Sequence, residues 1–315
     1  MNIAAIDAGT NTLRLLIVRV AEKKITTLLR KRIITGLGSK MSETGFLGEN
    51  GSSSTIKGFT LFSREMRRKK VSRYHAVGTQ AFREGGNARE LVVRIEDESG
   101  LRVAIIDSRE EAELTRRGIA SVMGSGIPAN SVIVDIGGGS TEFIRSVRGK
   151  TSIISTRLGV IHLDDLFPLK DPPRDWELNN LRFYLRDRIE RVRDALGVKG
   201  ASRIVGTAGT YTTLAAVHKQ MRRYVPENIN GTSLKMNEMK TLVSPLLSMS
   251  SRSRLRLPGM EKGRERLIVP GSLIALESMH IFRAQQTVVS DGSLLEGIIG
   301  EMVENESKGE NYVVQ

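Results

Sequence analysis

Two stretches of this chain bring a carboxylate, glycine and hydroxyl groups together in an order suited to holding a phosphate. Asp7, Gly9, Thr10, Asn11 and Thr12 close the run IAAIDAGTNT; Asp135, Gly137, Gly138, Gly139, Ser140 and Thr141 close the run VIVDIGGGST. A strand that runs into Asp-x-Gly and reverses leaves the carboxylate at the strand end, with the N–H groups of the turn just beyond it. Glycine has no Cβ, so the main chain approaches an anion closely and takes φ > 0 where needed. Successive N–H groups then form a nest for phosphate oxygens. Ser140 and Thr141 add hydroxyl donors, and Asp135 is placed to hold a divalent cation, directly or through water, against the phosphate charge. Two other turns carry weaker signals. VGTAGT, Val205 to Thr210, stands between a predicted strand and a helix, which puts Gly209 and Thr210 at a helix N-terminus, an anion site; a plain helix cap accounts for it equally well. VSDG ends another strand, and capping of the last helix is the expected role of Asp291.

The elements that must position these turns follow from periodicity. Strands are predicted at 2–8, 13–20 and 25–34, then a loop through 36–54 and a helix over 54–69. A strand at 74–77, a helix over 87–98, a strand at 101–106 and a helix over 110–122 follow. The same order returns with strands at 131–136, 141–147 and 151–157, a long amphipathic helix over 175–196 and a strand at 203–205. Further helices, a strand at 287–289 and a helix from about 293 to 303 complete the chain. Asp7, Gly9 and Thr12 map onto Asp135, Gly137 and Ser140 at one offset of 128 residues, so the pattern is a tandem repeat of one supersecondary unit. The expectation is two α/β lobes, 1–120 and 121–291, with the two glycine turns facing each other across an interdomain cleft. Residues 292–304 are expected to pack back on the first lobe, and 305–315 to form a frayed tail.

Composition narrows the partners. The 315 residues suit about two domains, and a mean hydropathy of −0.19 with 39% hydrophobic residues excludes a wholly disordered chain. No apolar run reaches the roughly 20 residues of a membrane helix, and Asp7 and Arg14 interrupt the one N-terminal stretch that looks like a secretory signal. No cysteine is present, which removes disulfides and thiolate chemistry and fits a cytoplasmic protein. Lys and Arg number 48 against 35 Asp and Glu, a net +13, so the partner is expected to be a polyanion. Aromatics are only 4%, poor material for stacking bases, which disfavours nucleic acid. Basic residues gather at 64–73, 182–193 and 252–266, and alternating charges in the second cluster read as a solvated helix face.

AIDAGTNT, VGTQAFREGGN, DSREEAEL, VDIGGGSTEF, VGTAGT and VSDGSLLEGI, in this order, resemble the exopolyphosphatase / guanosine pentaphosphate phosphohydrolase family over nearly the whole chain. The resemblance implies a duplicated actin-like (ribonuclease H-like) α/β fold of two lobes. It implies removal of a terminal phosphoryl group by water, with Mg2+ or another divalent cation as helper. By the same resemblance Glu111, the second Glu of EEAEL, acts as base or orients the water, and Glu142 supports the metal or the water. Asp135 matches the metal-associated aspartate, Gly137 to Thr141 the phosphate loop, Asp7, Gly9, Thr10 and Asn11 the first loop, and Arg83 the family's arginine.

The implied substrate is inorganic polyphosphate, which the excess positive charge favours, with guanosine pentaphosphate hydrolysed by the same machinery as the alternative. An actin-like ATPase or sugar kinase is a more distant reading. The resemblance allows a homodimer, although no surface stripe in the sequence argues for one. Three departures stand out. His162 and Leu295 occupy positions where many relatives have arginine, and Arg266 one where many have aspartate. They leave the core loops intact and bear on substrate identity.

Overall fold

The computed structural model describes residues 1–22, 24–123, 127–147 and 150–307. It divides into two compact units: Met1–Ser121 together with the chain from Ser293 onward, and Val122–Gly292.

The first unit opens with β1 (Asn2–Ala8), β2 (Thr12–Ala21) and β3 (Lys24–Ile34). A short helix α1 (Met41–Thr44), the long α2 (Glu49–Arg68), β4 (Arg73–Gly78), α3 (Gln80–Glu84), α4 (Ala88–Ser99), β5 (Ala104–Ile105) and α5 (Ser108–Val122) follow. The second unit holds β6 (Ser131–Ile136), β7 (Thr141–Val147), β8 (Lys150–Thr156), α6 (Val160–Leu166) and α7 (Asp175–Ala195). It continues with β9 (Arg203–Thr207), α8 (Ala208–His218), α9 (Pro226–Ile229), β10 (Thr232–Lys235), α10 (Met236–Ser248), α11 (Ser251–Arg254), α12 (Ile268–Ile281) and β11 (Gln286–Val289). The last helix, α13 (Leu294–Ser307), belongs to the first unit.

The repeat seen in the residues is a repeat of topology. The first sheet runs β3-β2-β1-β4-β5 and the second β10-β11-β9-β6-β7-β8. Without β10 the second reads β8-β7-β6-β9-β11, the same order with the same directions. Each central strand, β1 or β6, pairs antiparallel with the next strand and parallel with a later one. Such a strand is covered on both faces and reads as an unbroken apolar run, as IAAI and VIV do.

In the first unit Ile56, Phe59, Phe62 and Met66, spaced three and four apart on α2, cover one face of the sheet together with α4. The other face takes Leu294, Leu295, Ile298, Ile299 and Met302 of α13. Leu295 is therefore a core residue here. In the second unit Leu178, Leu181, Leu185, Ile189 and Val192 form the buried stripe of α7, the helical period of an amphipathic segment. No described helix is long and apolar enough to cross a membrane.

The elements differ from expectation at weakly patterned places. The loop expected over 36–54 contains α1 and the start of α2. There Gly51 lies on the backbone of Leu37, where a Cβ would come within 2.8 Å of its Cα, so close packing outweighs glycine's poor helix propensity. The strand expected at 101–106 shrinks to the exposed pair Ala104–Ile105 at the sheet edge. The four-residue β10 carries no periodic signal and exists through its pairing with β11. Residues 305–307, expected in the tail, continue α13, while 308–315 lie outside the described residues.

Candidate active site

Both units present their glycine turns at the carboxyl ends of parallel strands, where open α/β sheets bind ligands. In the first unit the ends of β1, β4 and β5 are tied side by side, Thr79 N–H donating to Ala8 and Ile106 N–H to Gly78. In the second, Asp135 on β6 pairs with Thr207 on β9, and Ser290 N–H after β11 donates to Gly206.

The turn after β6 has the strongest features. Gly137 N–H closes it on the Ser140 carbonyl at 2.9 Å. The carbonyls of Gly137, Gly138 and Gly139 accept from Val160, Ile161 and Gly159 at the start of α6. With the carbonyls pinned to one side, the N–H groups of Gly138, Gly139 and Ser140 donate to no protein group among the described residues. Three such donors in succession form an anion nest. Gly159 makes the arrangement possible, because a Cβ there would collide with the backbone of Gly138 and Gly139. Thr141, expected as a hydroxyl donor, is fully buried and gives its proton to the Leu158 carbonyl at 2.8 Å. It therefore fastens the turn, and Ser140 is the hydroxyl left to meet a ligand.

Across the hairpin Asp135 stands directly opposite Glu142, two carboxylates where like charges weaken a strand pair. Glu142 is 2% exposed and accepts a hydrogen bond from the Ser155 hydroxyl at 2.7 Å. Oxygen-only donors of this kind suit a hard divalent cation. Among the described residues no group of three or more acidic or imidazole side chains is placed to hold a metal by itself. The donor set thus fits an ion such as Mg2+, which keeps several waters and takes further ligands from substrate phosphates.

Gly209 and Thr210 lie in the first turn of α8, whose N-terminal amides have no helical acceptor. Ala208, just before them, holds φ at 62°, a left-handed conformation that costs a non-glycine residue roughly 1 kcal/mol. The guanidinium of Arg264 occupies the space where a Cβ on Gly209 would lie, so only glycine admits it there. Asp291 accepts a hydrogen bond from the Tyr224 hydroxyl, and its own N–H donates to Asn230 at 2.7 Å. At the start of α13, Ser293 N–H donates to Glu296 at 2.8 Å, half of a capping box.

In the first unit Gly9 N–H closes its turn on Thr12 at 2.9 Å, and the carbonyls of Thr10 and Asn11 accept from Thr35, Gly36 and Gly38. Asp7, 4% exposed, accepts from Arg14 Nε at 2.7 Å. Arg83 donates to Glu111 at 2.7 Å and to the Ile106 carbonyl at 2.9 Å. Arg83 therefore holds Glu111 at the start of α5. The helix itself begins on Asp107, whose carboxylate accepts from the N–H groups of Arg109 and Glu110. The N–H of Glu110 does most to hold the Asp107 carboxyl below its ordinary range. Burial, aided by Asp107 and Glu301, pushes that of Glu110 up.

Asp7, Gly9, Thr10, Asn11, Arg83 and Glu111 thus lie in the first unit, and Asp135, Gly137 to Glu142, Gly209 and Thr210 in the second. Sequence reasoning passed over Arg14, Ser155, Gly159 and Arg264. The signal for Arg14 was available: hairpin register places it opposite Asp7, as Glu142 is placed opposite Asp135.

A sequence profile of the Ppx/GppA phosphatase family matches residues 16–306. The chain belongs to that family. Exopolyphosphatase 2 of Mycobacterium tuberculosis is 29% identical to this Ppx/GppA chain over 309 residues, 94% of it and 97% of the relative. The crystal structure of the Aquifex aeolicus Ppx/GppA family member shares 31% identity and a TM-score of 0.82, covering 97% of this chain and 98% of that one. An exopolyphosphatase structure from Cytophaga hutchinsonii shares 27% identity and a TM-score of 0.89 over 99% of both chains. The fold is thus the duplicated actin-like α/β fold of this family. Of the three departures, Arg266 donates its Nε–H to the Asp164 carboxylate on α6, which anchors the start of α12.

Proposed function

We propose that this Ppx/GppA chain is an exopolyphosphatase that hydrolyses the terminal phosphoanhydride of inorganic polyphosphate. The observation that carries the reading is the row of N–H groups at Gly138, Gly139 and Ser140, held toward an incoming anion by the pinned carbonyls behind them. Phosphoryl transfer spreads charge over three oxygens, so fixed donors of this kind supply much of the catalysis. The glycine turn receives the terminal phosphoryl group, and Ser140 adds its hydroxyl. Glu111, oriented by Arg83, takes a proton from the attacking water as its oxygen bonds to the terminal phosphorus. The bridging P–O bond breaks, and the shortened chain leaves with the bond's electrons on its oxygen. Asp135 and Glu142 are the residues that would hold Mg2+ or another divalent cation, which supplies Lewis-acid neutralisation of phosphate charge when bound. The absence of cysteine suits a cytoplasmic setting, and the reading requires neither a second copy nor nucleic acid.

Guanosine pentaphosphate is the alternative substrate for the same groups. Phosphate release from both substrates over a salt series decides between them: a long polyanion should be turned over preferentially, with the steeper salt dependence. For the chemistry itself, Glu111→Gln should bind polyphosphate normally and release phosphate at least a hundredfold more slowly. Near wild-type release by that variant would remove Glu111 from the mechanism.

A further inference from the structure

Strand register places a short row of side chains at the corresponding place in each sheet. In the first unit Asp7 on β1 stands opposite Arg14 on β2, and Arg14 opposite Arg32 on β3. In the second, Asp135 on β6 stands opposite Glu142 on β7, and Glu142 opposite Ser155 on β8. Residues directly opposite each other project from the same face of a sheet, so each row is a line of neighbours. The first two positions hold an aspartate and the residue that faces it. The third is an arginine in one unit and a serine in the other.

Ser155 is exposed on β8, the edge strand of its sheet, yet its hydroxyl donates to Glu142 Oε1 at 2.7 Å. The acceptor, by contrast, is 2% exposed. A short hydrogen bond to an ionised oxygen is roughly twice as strong as a neutral one. The last torsion of a glutamate is broad, so hydrogen bonds decide how its carboxylate is turned. Because β6 and β8 flank β7 on opposite sides, the bond from Ser155 draws Oε1 away from Asp135. It eases the opposition of two like charges that register sets face to face, and it fixes the rotation of the Glu142 carboxylate.

We propose that Ser155 is a positioning residue, whose hydroxyl orients the Glu142 carboxylate so that Asp135 and Glu142 together present oxygen donors to a divalent cation. The assignment rests on the function proposed above. A group bonded to a metal ligand sets the orientation of that ligand, and removing it typically costs about 10- to 100-fold in metal affinity or activity. The first unit shows the other use of the same row. There a guanidinium meets Asp7, and the third position carries Arg32 in place of a hydroxyl. A serine stands only where two carboxylates must share one site.

The test compares Ser155→Ala and Ser155→Thr with the wild type. The probe is Mn2+ in the presence of inorganic phosphate, followed by electron paramagnetic resonance, since Mn2+ shares the preference of Mg2+ for oxygen ligands. Ser155→Ala should bind Mn2+ about tenfold more weakly. Its kcat on polyphosphate at a fixed Mg2+ concentration should fall by about the same factor, with KM for polyphosphate unchanged. Ser155→Thr keeps the hydroxyl and suits a strand, so it should restore both values. A hydroxyl that served stability alone would lower the melting temperature of Ser155→Ala and leave Mn2+ affinity and kcat at their wild-type values, and that result overturns the proposal. So does an equal loss in both variants, or a wild type that binds no Mn2+. If the wild type bound Mn2+ but released no phosphate from polyphosphate, the proposed function would fail, while the role of Ser155 would stand or fall on the Mn2+ affinities.

Discussion

The turns after β1 and β6 are the same hairpin made twice, and they differ most where strand register places one residue opposite another. Asp7 faces Arg14 and Asp135 faces Glu142, with 128 residues separating each from its counterpart. The first pair neutralises itself: a buried carboxylate meets a guanidinium that also reaches Ser293 at 3.2 Å. The second pair concentrates negative charge beside three unused N–H donors. A carboxylate set against a guanidinium serves the fold, whereas two carboxylates set side by side next to an anion nest supply the oxygen donors that suit a divalent cation. The duplication therefore provides a built-in control, in which equivalent substitutions should act with opposite signatures.

The largest expected effect is at Glu142. Glu142→Gln should lower phosphate release about 10²- to 10³-fold while polyphosphate binding persists. It also removes a like-charge opposition, so the melting temperature should hold or rise, the usual trade between stability and activity at a site. A variant that melted earlier and kept its rate would make Glu142 an ordinary core residue and erase the contrast.

Next come the glycines behind the two turns. A Cβ on Gly159 meets only backbone, whereas on Gly38 it meets chiefly the Thr10 side-chain methyl. Overpacking against a rigid main chain is costlier than against a rotatable side chain, so Gly159→Ala should destabilise by about 3 kcal/mol and Gly38→Ala by about 1 kcal/mol. Chemical denaturation of both variants measures this, and equal values would show that the second turn is no more tightly built than the first.

Arg14→Met inverts the Glu142 result. It strands a buried carboxylate and should cost about 2 kcal/mol, below the range for a fully buried pair, because Arg14 is itself partly exposed. Adding Asp7→Asn should recover part of that loss, since the two residues are coupled. Additive losses in the double variant would mean that the pair is not the unit holding this hairpin together.

Much of this comparison was legible beforehand, and its limits have physical causes. The tandem order of strands and helices and both glycine turns stand in the residues, because buried central strands and tight turns each demand particular types. What Thr141 does was not legible: a threonine after a glycine run looks like a ligand donor, and only the approach of Leu158 shows where its proton goes. Arg264 was equally hidden, since its place against Gly209 depends on a 55-residue excursion of chain through α8 to α11. The four-residue β10 and the start of α2 escaped because tertiary contacts, not periodicity, make them.

The smallest effect concerns how the first unit holds Glu111, and pH reads it. Asp107 accepts the amides of Arg109 and Glu110 at 2.8 Å each, and its carboxyl sits below the ordinary range chiefly through the Glu110 N–H. A group depressed in the folded state stabilises it above the unfolded value of about 4 and loses that contribution as pH falls toward the folded value. Glu110, raised mainly by burial, acts the other way, opposing folding while ionised and ceasing to do so on protonation. Acidification should thus loosen the start of α5 only as far as Asp107 prevails. Asp107→Asn keeps an acceptor oxygen but does not titrate, so its melting temperature should be slightly lower near neutrality and fall less steeply between about pH 5 and pH 3. The counterpart of β5 in the second sheet is β11, and the helix that follows it, α13, starts with Ser293 N–H on Glu296 rather than on an aspartate cap. A variant whose melting curve kept the wild-type slope over that interval would show that α5 is held by Arg83 and packing, with its cap playing no part in presenting Glu111.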